Sequence, residues 1–356
     1  MAPRTRSPFD PFISHRSALA PCLALALLLP AAALAAPPPT PVPSPGFTIT
    51  TFAGPLAGST APDSIAVVGK SVWVAYGNGG NPDGSNGAMS QIVEYICPAA
   101  GCKVNRKLTV TGHNDGLRLN PTTNQLWALQ NEDANPNLVV IDPITGSTEQ
   151  YTFAATPHGG GYDDMVFVKG AVYLSASHPT LDAKGHSIGP SIVRATLVAA
   201  NHTVVVTPAV SGTPFADNIP FGTVSRLNLT DPDSIILTPS GEVLLDDQGD
   251  GQLVFWPVAS PKAPLRVLPL LGTVQVDDTV FATSRHGALL VTDRDANTIY
   301  AVTTPVWPLG AAYSAAAGVP TPAFPAYVGE LDLTSGAVVP VVTNLVSPHG
   351  MAFVGW

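Results

Sequence analysis

One short phrase recurs six times along this chain, and it constrains the fold more than any other feature. An Asp or His is followed by a small or polar residue and then by an alternating apolar run. It reads PDSIAV from Pro62, NDGLRL from Asn114, DDMVFV from Asp163, PDSIIL from Pro232, DDTVFA from Asp277 and PHGMAF from Pro348. With Asp63, Asp115, Asp164, Asp233, Asp278 and His349 as register marks, most steps are roughly 45–50 residues and two are near 70. Short strands at that period are the mark of a β-propeller, in which each repeat folds as one four-stranded blade. The phrase would place one polar side chain per repeat at the start of the innermost strand, so that the marks ring one mouth of a central channel. A β-sandwich would not need so even a repeat.

After each of the first five marks comes a turn and a second apolar run, centred on Trp73, Trp127, Tyr173, Leu244 and Leu290. The near-constant offset is what a tight hairpin of inner strands requires. Third strands are read at QIVEYI, NLVVID, SIVRAT, QLVFWP and TIYAVT. Fourth strands are read at KLTVTG, TEQYTF, TVVVTP, LRVLPL and AVVPVV. These make five blades. The sixth phrase stands too near Trp356 to complete a blade downstream, and FTITTF at 47–52 is the natural partner for the C-terminal strand. The expected fold is therefore all-β, a six-bladed propeller whose last blade is closed by both chain termini; five or seven blades are the alternatives. The two long steps hold 209–230 and 304–326, read as irregular insertions. The first, with Phe215, Asp217, Asn218 and Phe221, is a candidate lid over the mouth.

The chain has 356 residues, with Gly (32) and Pro (37) plentiful and charged residues only 12%. That mix suits short apolar strands joined by many turns and argues against coiled coils. A net charge of −9 without a basic patch excludes a nucleic-acid partner. Residues 1–35 read as a signal peptide: Arg4, Arg6 and Arg16 precede an apolar run from Ala18 to Leu29, and AAALAA at 31–36 offers a small-x-small cleavage site. Export to the periplasm or the extracellular space follows, with no membrane association after cleavage. Residues 36–46 (APPPTPVPSPG) read as a Pro-rich linker, and 47–356 as one propeller domain. In an exported chain, Cys97 and Cys102 in CPAAGC are a natural local disulfide.

The loops between second and third strands open on the face that carries the marks. They read GNGGNPDGSNG, QNEDANPN, SHPTLDAKGHS, DDQGDG and DRDAN. Converging carboxylates and amides without matching Lys or Arg are costly to hold unless a cation neutralises them, so a divalent ion is expected there, Ca²⁺ ahead of Zn²⁺. The expected ligands are Asn114, Asp115, Asp164, Asp233, Asp278 and His349. The competing reading of each Asp is a turn cap. His113, His158 and His349 each lie near a mark and offer a three-His zinc site as a second option.

NDGLRLNPTTNQLW (114–127) resembles the Asn-Asp-Gly…Pro…Trp segment of the gluconolactonase/regucalcin-like propellers, also known as senescence marker proteins. DDTVFATSRHGALLVTDRDANTIYAV (277–302) is similar to their strand–turn–strand repeat with its Asp-rich loop. The resemblance covers most of 61–303 at repeat level. It implies a channel-centre divalent ion, usually Ca²⁺, and an Asp acting in lactone hydrolysis. Asn114 then matches an Asn of that site, and Asp233 or Asp278 its Asp. Asp63 departs from the pattern where a Glu is expected, as does Asp278 where Asn is common. PHGM at 348–351 more weakly resembles the Pro-His-Gly repeat of NHL-type propellers, which include lyases with channel-facing His and a metal. The expected function is cation binding at an acidic mouth that takes a small-molecule substrate, with metal-assisted hydrolysis of a lactone or ester and Asp233 and Asp278 as catalytic carboxylates. A non-catalytic ligand- or protein-binding propeller is the alternative, and a His-metal lyase of the NHL kind is the second.

Overall fold

Four of the six phrases open the meander their spacing predicts. The computed structural model describes residues 38–97, 102–273, 275–318 and 325–356. The signal peptide expected over 1–35 lies outside them. The first sheet runs Pro62–Val68, Ser71–Tyr76, Met89–Ile96, Lys103–Thr111, each strand antiparallel to the next. The same order repeats in Asn114–Asn120, Gln125–Gln130, Asn137–Ile141, Thr148–Phe153, and again in Met165–Val168, Ala171–Ser175, Pro190–Val198, Thr203–Ser211. Those two groups are joined at their outer edges by a short parallel pairing of Thr152 with Thr203. A further group runs Pro232–Leu237, Val243–Asp247, Gln252–Trp256, Leu265–Pro269.

The first strand of each group touches the first strand of the next. With Thr279–Phe281 and Pro348–Gly355 they close a ring back to Pro62–Val68. Sheets set radially around such a ring are the arrangement of a β-propeller. The core is divided accordingly, because each sheet buries both faces against its neighbours. Trp127 and Phe167 meet edge to face at 5.3 Å between the second and third groups, and Tyr173 and Trp256 do so at 4.9 Å in the next gap.

The fifth and last groups depart from the expected order. Thr279–Phe281 does not pair with Gly287–Asp293; it pairs with Ala312–Ala316, which leads on to Tyr327–Leu331 and Val338–Thr343. Gly287–Asp293 and Thr298–Thr303 instead supply the two middle strands of the terminal sheet, between Pro348–Gly355 inside and Thr48–Ala53 outside. The two chain ends do share one sheet, as expected, but the 287–303 hairpin separates them. The chain thus enters one sheet, crosses to its neighbour for a hairpin, and returns. Trp307 sits at the return, with its ring against Phe47, Tyr313 and Phe353.

Two further segments differ from expectation. Within the Pro-rich stretch, Val42–Pro43 adds an edge to the fifth sheet by pairing with Val342 and Thr343, and Ser44 donates its N–H to the Val341 carbonyl. An edge tolerates Pro because no ladder N–H is required on its open side. The 209–230 insertion is not a lid. Phe215–Asn218 pairs parallel with the outer strand Leu265–Pro269 and forms a hairpin with Val224–Arg226, so Phe215 and Phe221 stand exposed at the sheet's outer edge. Cys97 and Cys102 are joined in a disulfide. Among the described residues, no helix is long and apolar enough to cross a membrane.

Candidate functional site

The polar residues at the mouth are set by an irregularity that the phrase conceals. Pairing of the inner strand slips between Pro62 and Ile65, between Asn114 and Leu117, and between Pro232 and Ile235. A bulge at the start of a strand re-aims successive side chains. The first residue of the bulge faces the mouth, and the second faces the neighbouring inner strand. At that second position Gly116 lies so close to its neighbour that a Cβ would stand 2.4 Å from the Asp163 carbonyl, and at Gly350 it would stand 2.5 Å from the Asp63 carbonyl. Only glycine admits that approach.

The two Asp-Asp phrases, whose strands pair without such a slip, divide their labour in the same way. Asp163 and Asp277 line the mouth together with Asp63, Asp115, Asp233 and His349. Asp164 and Asp278, one residue on, clamp the inner strands to one another. Asp164 accepts from the Ile235 N–H at 3.3 Å and Asp278 from the Met351 N–H at 2.8 Å. Both carboxylates also face Arg118, whose Nη2 is 2.5 Å from Asp164 and 3.6 Å from Asp278. Burial alone would lower the Arg118 guanidinium, but these two aspartates outweigh it and hold it above its usual value. Asn114 also lies away from the mouth: it is fully buried, and its side-chain amide donates to the Leu129 carbonyl at 2.5 Å.

Of the expected ligands, then, Asp115, Asp233 and His349 share the mouth, whereas Asn114, Asp164 and Asp278 are held in the wall. The three histidines are not brought together. His113 and His349 line the mouth, but His158 is buried elsewhere, its Nε2 2.7 Å from the Gly161 carbonyl and its ring against Tyr162.

The mouth is a cavity of about 340 Å³. Its tightest cluster is His113, Asp115 and Glu132, whose ligand atoms all lie within 4.8 Å of one another. His113 is placed by its backbone N–H, which donates to the Asn131 side chain at 2.9 Å. Glu132 follows Asn131, which has a left-handed φ of 62°. Gly161 packs on that bend so closely that a Cβ would stand 2.3 Å from the Asn131 carbonyl and 2.4 Å from that of Glu132. Glu132 escaped the phrase because it belongs to no strand start. Its signal was the QNEDANPN loop, whose acidic content pointed to this face without saying which residue reaches it.

Glu132, Asp115, Asp163 and Asp233 all line this one cavity. Among the described residues, Arg294 is the one arginine lining the cavity. Burial first, and neighbouring carboxylates second, push the carboxyls of Asp63, Glu132, Asp163 and Asp277 well above the usual range. Burial and Asp277 do the same to Asp233. Burial lowers His113, with Asp115 opposing, which favours a neutral imidazole able to donate a lone pair.

The sign of the resulting pH dependence is definite. A carboxyl raised on folding keeps its proton where the unfolded chain has lost it, so its stabilising contribution is present below the unfolded value near about 4 and is lost as pH rises through the folded value. The cation-free protein is expected to lose thermal stability steadily above about pH 5, and added divalent cation to restore most of that loss at about pH 8 and little of it at about pH 5. Melting curves in chelator and in cation across that range check this. A melting temperature that ignores cation at high pH would sink it.

The donor set fits a divalent cation: two carboxylates and a neutral imidazole in one pocket, with further carboxylate oxygens beside them. Oxygen-rich surroundings suit Ca²⁺, and the imidazole suits Zn²⁺ or a similar ion.

No protein-family model matches this sequence, and no curated protein matches it. Among solved structures, the chain is similar to a protein of unknown function from Bacteroides caccae, at 11% identity over 84% of this chain and 88% of that one, with a TM-score of 0.49. It is similar to a protein provisionally named a gluconolactonase, at 13% identity over 88% of this chain and 90% of that one, with a TM-score of 0.43. It is also similar to virginiamycin B lyase from Staphylococcus aureus, at 10% identity over 72% of this chain and 99% of that one, with a TM-score of 0.36.

Proposed function

We propose that this protein is an exported, six-bladed propeller that binds a divalent cation at its acidic mouth and uses it to hydrolyse a small lactone or ester. The observation that carries the reading is the His113, Asp115 and Glu132 cluster, set in a cavity whose remaining carboxylates face, among the described residues, Arg294 and the His349 imidazole beside Asp277. The closed ring of six first strands supports the blade count. The disulfide, together with the charged and apolar N-terminal sequence, supports export.

A cation held there would polarise a carbonyl oxygen and lower the pKa of a bound water. The chain's own part is to place groups around it. His113, Asp115 and Glu132 would be its ligands. Asp233 and Asp163 both line the mouth, and burial with neighbouring carboxylates raises both carboxyls well above the usual range. That pair can take a proton from water and return it to a leaving alkoxide, the general-base role expected for Asp233. Asp278 serves elsewhere, bonded to the Met351 N–H beside Arg118 in the channel wall.

Glu132→Gln combined with Asp115→Asn is expected to weaken cation binding about 100-fold or more, because both ligand charges are removed and only the neutral His113 imidazole is left. Calorimetric titration of Ca²⁺ and Zn²⁺ into the chelator-treated protein measures this and shows which ion is preferred. Asp233→Asn should retain the cation and lose turnover on a lactone and ester panel. Cation binding with no turnover by the native protein would leave a binding propeller and remove the hydrolase. Unchanged binding in the double variant would remove the metal site.

A further inference from the structure

A second cavity, of about 480 Å³, opens at the far end of the channel, where the inner strands finish. Its volume lies in the range of small-molecule sites. Its walls are apolar: Ile65, Ile236, Val280, Met351 and Phe353 come from successive inner strands, and Leu309 closes one side. Among the described residues, Arg118 is the one charged residue that lines it. The guanidinium donates to Asp164 from Nε at 3.1 Å and from Nη2 at 2.5 Å, while Nη1 has no hydrogen-bond partner among the described residues. The cavity thus combines largely apolar walls with one fixed charged donor, beside the hydroxyls of Thr238 and Thr283, the usual make-up of a site that orients a small apolar ligand.

The charge around that donor selects the kind of ligand. One arginine faces two aspartates, so a ligand carboxylate would meet net negative charge, and a ligand ammonium would meet the guanidinium. A neutral acceptor avoids both costs.

We propose that this far-end cavity is a second ligand site, separate from the acidic mouth, which takes an uncharged apolar small molecule carrying one carbonyl-type acceptor for Arg118 Nη1. The apolar body fills the space between the inner strands, and the acceptor satisfies the remaining donor of a guanidinium that Asp164 already holds rigid. The site does not depend on the cation, because Arg118, Asp164 and Asp278 lie in the wall between the two cavities.

The probe is prodan, a neutral naphthalene with one acyl carbonyl whose emission shifts to the blue in apolar surroundings. Titrated with the mature protein, it is expected to show one saturable site. 2-Dimethylaminonaphthalene, which lacks the acyl group, is expected to bind about 10-fold more weakly, because Nη1 is then covered without an acceptor. Leu309 and Leu237 line the cavity and are 63% and 37% exposed, so a charge at either position can be borne without unfolding the chain. Leu309→Asp and Leu237→Asp are each expected to weaken prodan about 10-fold with unchanged melting curves. Glu132→Gln with Asp115→Asn at the other mouth should leave prodan binding as it was. The absence of saturable binding, equal binding to both rim variants and the native protein, or equal affinity for the acyl-free probe would each overturn the assignment.

Discussion

Trp307→Ala is expected to cost about 3–5 kcal/mol of folding stability, among the largest losses from any single side chain here. The indole is fully buried. It meets Tyr313 at 5.1 Å, Phe353 at 5.4 Å and Phe47 at 5.9 Å, all near edge-to-face. Its Nε1–H donates to the Gly287 carbonyl at 3.0 Å, and its backbone N–H to the Arg285 carbonyl at 2.9 Å. Those partners come from both chain ends and from both of the interleaved sheets. Truncation would open a cavity where the chain returns from the 287–303 hairpin to the fifth sheet, and would leave the Gly287 carbonyl without its indole partner. Denaturant unfolding gives the loss directly, and hydrogen exchange should show protection falling most in 287–303 and 348–355. A cost below about 1 kcal/mol would mean that the crossover is held by its strands alone.

Arg118→Met should cost a comparable amount, about 3–5 kcal/mol, for an electrostatic reason. Removing the guanidinium strands Asp164 and Asp278 in the channel wall with no cation to face. Burial already pushes the Asp278 carboxyl up to about 6, with Arg118 the main influence holding it down. Without Arg118 it rises further. A raised carboxyl loses its stabilising contribution as pH climbs through the folded value, so the cost of the variant should be largest at alkaline pH and shrink toward about pH 5. Adding Asp164→Asn and Asp278→Asn to Arg118→Met should recover much of the loss, because a neutral wall has no charge left to compensate. Unfolding free energies of the single and triple variants at two pH values test both halves. A pH-independent cost would show that Arg118 acts through packing and not through charge.

How far the sequence could be read turns on a few particular residues. The phrases at Asp63, Asp115 and Asp233 placed mouth carboxylates correctly because each has one acidic residue, leaving no choice of register. DDMVFV and DDTVFA each offered two, and the period of a strand does not say which belongs to the mouth. A shift of one residue turns a side chain to another face, and both Asp pairs precede the paired strand, so contact with the neighbouring inner strands and with Arg118 decides the matter. The offset from Asp278 to Leu290 matched the other hairpins closely, so spacing alone joined strands that the structure puts in neighbouring sheets. Glu132 was invisible as an individual because its position depends on a left-handed Asn131 and on Gly161, which is distant in sequence and packed upon it.

Local pattern carries the all-β class, the repeat, the meander of the first four sheets, the meeting of the two chain ends and the gathering of carboxylates on one face. These follow from alternation, turn chemistry and composition, which act over a few residues and are written in order along the chain. It took the packed molecule to select which Asp of each pair meets the mouth and which meets Arg118, to interleave the fifth and last sheets around Trp307, and to bring Glu132 to His113 and Asp115. Each of those depends on contacts between sheets, where packing and charge pairing choose among arrangements that local periodicity leaves equal.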